Sequence, residues 1–123
     1  MLKDTLFKIQ SFEHRENIVH ATLEVDKNSE IFAGHFPGHP VLPGACMLQI
    51  LKEALEQALK LPVRLKKADH IKFLSLVVPG HDSALQLNLS YSSDDSKNLH
   101  VTASLTAKKD ICFKFKGHFE CLT

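Results

Sequence analysis

One stretch of the chain has the periodicity of a helix, and it limits what the rest can form. Pro43 and Gly44 stand at its predicted start, where a proline loses no helical hydrogen bond, and Pro62 ends it. An amphipathic helix cannot bury its apolar face alone, so the remaining segments must supply a surface that covers it. The apolar residues of 44–60 recur at three- and four-residue spacing: Leu48, Leu51, Leu55 and Leu59, with Met47, Ala54 and Ala58 widening the stripe.

The remaining segments have the pattern of strands. Leu85, Leu87 and Leu89 alternate with polar residues, which is the period of a half-buried strand. The resulting order, β-β-α-β-β-β-β, predicts one α+β domain over residues 1–123, in which the helix packs on one face of a large antiparallel sheet. The first two strands form a predicted hairpin with its break at 14–16, and a Gly/Pro loop fills 27–43. The predicted strands are 5–13, 17–26, 63–78, 83–92, 98–107 and 110–121.

Composition and charge exclude several classes of protein. Fifteen Lys and Arg against fourteen Asp and Glu give a net charge of +1, which does not indicate nucleic-acid binding. No apolar run approaches the roughly 20 residues of a membrane span, and the first ten residues lack the apolar segment of a signal peptide. Cys46, Cys112 and Cys121 are an odd number without CxxC spacing, which predicts free thiols in a reducing compartment, the cytoplasm.

The loop before the helix carries the strongest chemical signal. Residues 34–44, GHFPGHPVLPG, hold three prolines, three glycines and two histidines. Such a loop has a defined path, so a histidine within it has few orientations. The first amides of the following helix lack intrahelical partners and can donate to a carbonyl oxygen that gains negative charge. This arrangement suits proton abstraction beside a carbonyl, and the alternative is a rigid connection with incidental histidines.

This loop and its helix closely resemble the signature of the β-hydroxyacyl-acyl carrier protein dehydratases of type II fatty acid synthesis. A second stretch, FLSLVVPG at 73–80, resembles a strand of the same family. The resemblance implies a hot-dog fold, in which a curved antiparallel sheet wraps a long central helix. It implies no metal or redox cofactor, and a thioester substrate carried on the phosphopantetheine of acyl carrier protein or coenzyme A. It also implies a homodimer or a trimer of dimers, with residues of two chains in each site.

The resemblance also places the site residues. The catalytic histidine of the family falls on His35, and the glycine whose amide polarises the thioester carbonyl falls on Gly44. The loop residues that shape the substrate site fall on Phe36, Pro37, Gly38 and Pro43. One departure lies after Phe73, where Leu74 and Ser75 stand in place of a frequent arginine, so the usual carrier-protein contact is in doubt.

The main departure concerns the second catalytic position. The family order is E-x-x-x-Q, and this chain has Gln49 and Glu53, so the two residues are exchanged. Glutamine cannot transfer a proton, although it can hydrogen-bond a hydroxyl or a water. Glu53 lies on the same helix face one turn, ~6 Å, further along, too far for simple replacement unless the substrate or the helix shifts. Gln49 or Glu53 is therefore predicted to bind the substrate hydroxyl. We interpret Glu53 as mainly structural, because Gln49, Lys52, Glu53 and Glu56 together read as a solvated helix face.

Other reactive residues give weaker signals. His39 is expected to be structural or solvated, and the histidines elsewhere have no metal-ligand spacing, so no metal site is predicted. Cys46 could be a nucleophile at a helix start, but a small buried residue is the simpler interpretation.

Three functions follow, in order of preference. The first is a dehydratase, or hydratase in reverse, acting on 3-hydroxyacyl thioesters in fatty acid or related acyl-chain synthesis. The second is a non-catalytic acyl-thioester-binding protein or partner subunit, which Gln49 favours. The third is a thioesterase, which the loop signature disfavours.

Overall fold

The computed structural model describes residues 2–33, 41–78, 84–94 and 97–122. Its elements are β1 (Phe7–Arg15), β2 (Ile18–Val25), α1 (Glu30–Ala33), α2 (Gly44–Leu59), β3 (Val63–Phe73), β4 (Ala84–Ser93), β5 (Asn98–Ala107) and β6 (Asp110–Cys121). The strands form one six-stranded antiparallel sheet in the order β1-β2-β4-β5-β6-β3. The predicted α+β architecture is confirmed, whereas the single turn α1 inside the predicted 27–43 loop was not predicted. Within the described ranges, no helix combines the length and apolar character that a transmembrane helix requires.

The core lies between α2 and the inner face of the sheet. Strands β2, β4 and β5 alternate buried and more exposed residues, so each strand sends every second side chain towards the helix. The predicted leucine stripe is confirmed at Leu51 and Leu55, but the buried face is centred nearer Ile50, and Leu48 and Leu59 are only partly buried. The buried apolar residues of α2 are Met47, Ile50, Leu51, Ala54 and Leu55.

Two element ends differ from the sequence prediction. The β1–β2 turn consists of Glu16 and Asn17, whose φ angles are 51° and 66°, the signature of a two-residue hairpin turn with both residues left-handed. Strand β3 ends at Phe73, short of the predicted residue 78. Pairing with β6 continues to Leu74, whose amide donates to the Cys112 carbonyl at 2.9 Å, and Val77 then reaches the start of α2, where its carbonyl accepts a hydrogen bond from the Leu42 amide at 2.8 Å.

A glycine in β6 allows the neighbouring edge strand β3 to follow a bulged path. The β3–β6 register shifts twice, between Leu65 and Lys67 and between Ala68 and His70, and Gly117 pairs with Ala68 between the two shifts. A Cβ atom on Gly117 would lie 2.4 Å from the Lys67 carbonyl oxygen and 2.7 Å from Cζ of Phe115. The bulged path of β3 therefore depends on the missing side chain.

Replacing this glycine should be costly. Alanine normally stabilises a strand relative to glycine, yet Gly117→Ala forces a methyl group against backbone, so we expect a loss of about 2–3 kcal/mol of unfolding free energy. Urea denaturation checks this, with the exposed Ser90→Ala in β4 as the control, expected within about 0.5 kcal/mol of the parent. Equal stability of the parent and Gly117→Ala would show that β3 can shift away without cost.

Candidate functional site

At the start of α2, two backbone amides have no acceptor among the described residues. Pro43 precedes the helix in an extended conformation, with φ −63° and ψ 146°, and makes no side-chain cap. The amides of Cys46 and Met47 donate to the Pro43 carbonyl at 3.0 and 3.3 Å. Among the described residues, the structure shows no acceptor for the amides of Gly44 and Ala45. Free donors at the positive end of the helix dipole can receive a carbonyl oxygen on which negative charge develops.

The two motifs noted in the sequence meet at this helix start. Besides the hydrogen bond between Leu42 and Val77, the ring of Phe73 packs directly on Gly44. A Cβ atom on Gly44 would lie 2.7 Å from Cε1 and Cζ of that ring, so only glycine permits this approach. The Phe73 side chain is nonetheless 56% exposed. The Gly44 amide therefore lies beside an aromatic ring that is more than half exposed.

The predicted site residues divide into two groups. His35, Phe36, Pro37 and Gly38 lie outside the described residues, as does His39, so their roles stay predictions. Pro43, Gly44, Gln49 and Glu53 are described: Pro43 precedes α2, Gly44 and Gln49 lie in its first half, and Glu53 lies in its second half.

Glu53 is buried, and its carboxylate anchors the N-terminal segment. Its side chain is 4% exposed. Oε2 accepts hydrogen bonds from the Leu2 amide at 2.8 Å and from Nε2 of Gln49 at 2.9 Å, and Oε1 accepts one from the Lys3 amide at 2.9 Å. Three N–H donors on two oxygens offset the cost of burying this charged group.

The solvated helix face predicted from the sequence is therefore wrong. None of Gln49, Lys52, Glu53 and Glu56 is fully exposed. The N-terminal segment covers Glu53, and Glu56 accepts a hydrogen bond from the Val63 amide at 2.9 Å, which ties the end of α2 to the start of β3. The prediction failed because a helix periodicity does not show which backbone amides come to lie over the polar positions.

The hydrogen bond to Glu53 sets the orientation of the side-chain amide of Gln49. A carboxylate accepts hydrogen bonds and donates none, so the amide nitrogen of Gln49 must face Glu53, and its carbonyl Oε1, to which no described residue donates, points elsewhere. Gln49 can thus orient a hydroxyl or a water. Gln49 stands five positions after Gly44, which places the two ~140° apart around the helix axis. Within one chain they face different directions.

Cys46 has the properties of a packing residue. Its side chain is half-buried and contacts the core. Burial raises the pKa of the Cys46 thiol, which opposes the lowering expected from the helix dipole. The thiol form is therefore favoured at neutral pH, against a nucleophilic role. Among the described residues, no three His, Cys, Asp or Glu side chains lie close enough together to hold a metal ion.

One long helix held by a curved six-stranded antiparallel sheet is the architecture of a hot-dog protein. The family model described as ApeI-like, ApeI dehydratase, matches residues 11–103, and the chain belongs to this dehydratase family.

Curated relatives agree with this assignment. The 3-hydroxyacyl-[acyl-carrier-protein] dehydratase FabZ of Oenococcus oeni is 32% identical over 107 residues, which span 78% of this chain and 77% of that protein. The protein of the same description from Wolbachia pipientis is 35% identical over 81 residues, which span 58% of this chain and 54% of that protein.

Solved structures share the fold. The dehydratase heterocomplex ApeI:P from Xenorhabdus doucetiae superposes with a TM-score of 0.73 at 19% identity, covering 92% of this chain and 96% of that one. A hypothetical thioesterase with coenzyme A from Streptococcus pneumoniae gives a TM-score of 0.67 at 13% identity, covering 94% and 84%. At these identities the structural likeness establishes the hot-dog architecture alone.

The anchoring role of Glu53 can be tested by removing one acceptor oxygen. In Glu53→Gln, an NH₂ group must face one of the three N–H donors, so we expect a loss of ~1–3 kcal/mol in unfolding free energy. We also expect faster hydrogen exchange at the Leu6 amide, which donates to Leu2. Glu13→Gln, on an exposed position of β1, is the control. Unchanged stability and exchange would show that the N-terminal segment is held by other contacts.

Proposed function

We propose that this chain dehydrates 3-hydroxyacyl thioesters carried on phosphopantetheine, with acyl carrier protein as the preferred carrier and coenzyme A as the other. The observation that carries the proposal is the Gly44 amide at the start of α2, which has no acceptor among the described residues and directly follows the histidine-bearing loop, in a member of a dehydratase family. The relatives described as 3-hydroxyacyl-[acyl-carrier-protein] dehydratases support the substrate class.

Each proposed role uses the chemistry of its residue. His35 removes a proton from C2 of the acyl chain, and the Gly44 amide donates to the thioester oxygen, where negative charge develops. Oε1 of Gln49 accepts a hydrogen bond from the 3-hydroxyl and holds it in place. Because Gln49 has no proton to transfer, the His35 imidazolium returns its proton to the hydroxyl. The C3–O bond breaks, water leaves, and the C2–C3 double bond forms, with no redox step.

In the proposal, a second copy of the chain supplies the remaining residues of the catalytic site. β3 is an edge strand, and its end carries an exposed apolar cluster of Ile71, Phe73, Leu74 and Leu76, with Leu76 71% exposed. An edge strand next to an exposed apolar cluster is a typical site for association with another chain. We propose a homodimer through the β3 edges, in which His35 and Gly44 of one chain face Gln49 of the other. The angle between Gly44 and Gln49 around α2 supports a site built from two chains.

The dimer is tested by charging its apolar cluster. We expect the parent to sediment as a dimer or a larger assembly at micromolar concentration, and Leu74→Asp/Leu76→Asp to sediment as a monomer that has lost turnover, because buried unpaired carboxylates oppose association. Leu61→Asp, another exposed leucine, is the control and should stay assembled. A monomeric parent would contradict the two-chain site.

The enzyme itself is tested at the loop. Replacing a general base costs about 10²–10⁴-fold, so we expect His35→Ala to lose at least ~100-fold in turnover of 3-hydroxyacyl thioesters while keeping its unfolding midpoint. His39→Ala, from the same loop, is the matched control and should retain most activity. A folded His35→Ala protein with the turnover of the parent would overturn the proposed mechanism.

A second function, a non-catalytic partner subunit, is favoured by one observation. The amide nitrogen of Gln49, at the position where the sequence resemblance predicts a carboxyl group, donates to Glu53 at 2.9 Å. Such a protein would bind acyl thioesters, or pair with an active subunit, without turning substrate over.

Variants of the pair separate the two functions. For an active enzyme, Gln49→Ala should lower kcat roughly five- to tenfold, the value of one hydrogen bond of about 1 kcal/mol. Gln49→Glu should lose stability as the pH rises, because its carboxylate then lies against that of Glu53 and the two repel once ionised. For a non-catalytic partner, the parent should show no turnover, and Gln49→Glu/Glu53→Gln should create it. Equal rates in the parent and all variants would remove both residues from the mechanism.

A further inference from the structure

The outer face of the sheet, turned away from α2, carries two ordered rows of side chains. The strand register aligns them across β2, β4, β5, β6 and β3, so each row spans four strand spacings, ~19 Å. One row is Ile18, Ser90, Thr102, Lys116 and His70, and the other is His20, Asn88, Ser104, Lys114 and Lys72.

Both rows line one cavity of about 530 Å³. This volume lies within the range of small-molecule sites, about 300–1,000 Å³. Ile18 and Ile111 add apolar surface, and hydroxyl and amide groups occupy the middle. No Asp or Glu is found among the lining residues that the structure describes. The cavity lies on the opposite side of the sheet from Gly44 and Gln49, so it is separate from the proposed catalytic site.

Positive charge is concentrated at the β6–β3 end of this cavity. Lys72 lies directly opposite Lys114, and Lys116 directly opposite His70. Like charges in facing positions destabilise a sheet. Within the described part of the chain, none of the three lysines has a carboxylate partner. Asp69, the neighbour of His70 in sequence, is held by His118 at 3.0 Å and by Lys67 at 3.7 Å.

We propose that this outer cavity binds a phosphate-bearing small molecule. Its phosphate groups lie on Lys72, Lys114 and Lys116, since a dianion removes the repulsion that the facing lysines create. Its uncharged part lies along Asn88, Ser90, Thr102 and Ser104, which donate and accept hydrogen bonds. Two features favour a small molecule over an acidic protein segment: the cavity is concave, and its charge is confined to one end of rows that are otherwise neutral.

Adenosine 5′-diphosphate and inorganic pyrophosphate are suitable probes because they share the diphosphate and differ in the uncharged part. Titration into the ¹⁵N-labelled full chain at low ionic strength should give saturable shifts at the amides of Lys72, Lys114 and Lys116. Lys72→Gln/Lys114→Gln should weaken the Kd at least ~10-fold, because two charged contacts are lost. Lys8→Gln/Lys27→Gln, which removes two exposed lysines elsewhere, should leave it unchanged. Tighter binding of adenosine 5′-diphosphate than of pyrophosphate would support the placement of the uncharged part of the ligand along Asn88, Ser90, Thr102 and Ser104.

The same variants provide an independent measurement. Without ligand, Lys114→Gln should raise the unfolding midpoint at low salt, since one of two facing charges is gone, and the gain should shrink in high salt. Pyrophosphate should raise the midpoint of the parent more than that of the double lysine variant. Non-saturable shifts, or equal binding by the parent and the double variant, would overturn the proposal. So would a double variant that binds both probes normally but changes its sedimentation, because the face would then be an interface between copies.

Discussion

The burial of one face of α2 against the inner face of a single sheet is the interaction on which the rest of the structure depends. Strands β2, β4 and β5 turn alternate residues inward to make that surface, and the sheet must bend to keep β3 in contact with it. Gly117 permits that bend because a side chain there would strike the backbone of Lys67. With β3 in place, the following segment reaches the helix start, where Val77 and Phe73 meet Leu42 and Gly44. The open amides of the site are therefore a product of the same packing.

Much of this architecture could be predicted from the sequence because two periods dominate it. The 3.6-residue period of 44–60 and the alternation of 84–92 are set by burial on one side, which is the force that forms the core. The element ends were less predictable. Glu16 carries no turn signal, yet it adopts a positive φ because the two-residue hairpin requires it. Beyond the end of β3, Val77 contacts the helix start, and a pattern local to the strand cannot reveal such a contact.

The candidate site also has some features that the sequence predicts and others that it does not. The position of Gly44 at the start of α2 was predictable, because Pro43 and the loop motif precede it, and its role at the site stays a prediction. The hydrogen bond between Gln49 and Glu53 has a sequence signal as well, since side chains four residues apart on a helix are neighbours. The burial of Glu53 has none. Its partners are the backbone amides of Leu2 and Lys3, and any residue except proline supplies such an amide.

The hydrogen bonds between Glu53 and the N-terminal segment limit how positions 49 and 53 can change in evolution. The resemblance predicts Glu at position 49 and Gln at position 53, and the codons for Gln and Glu differ by one nucleotide, so the exchange that it implies takes two substitutions and passes through a mixed state. A Gln–Gln state leaves the amides of Leu2 and Lys3 one acceptor short, and a Glu–Glu state sets two carboxylates side by side. Each substitution alone is unfavourable in this chain, so the two positions change together or not at all. A lineage that gives up the N-terminal contact is the one in which position 53 becomes free to vary.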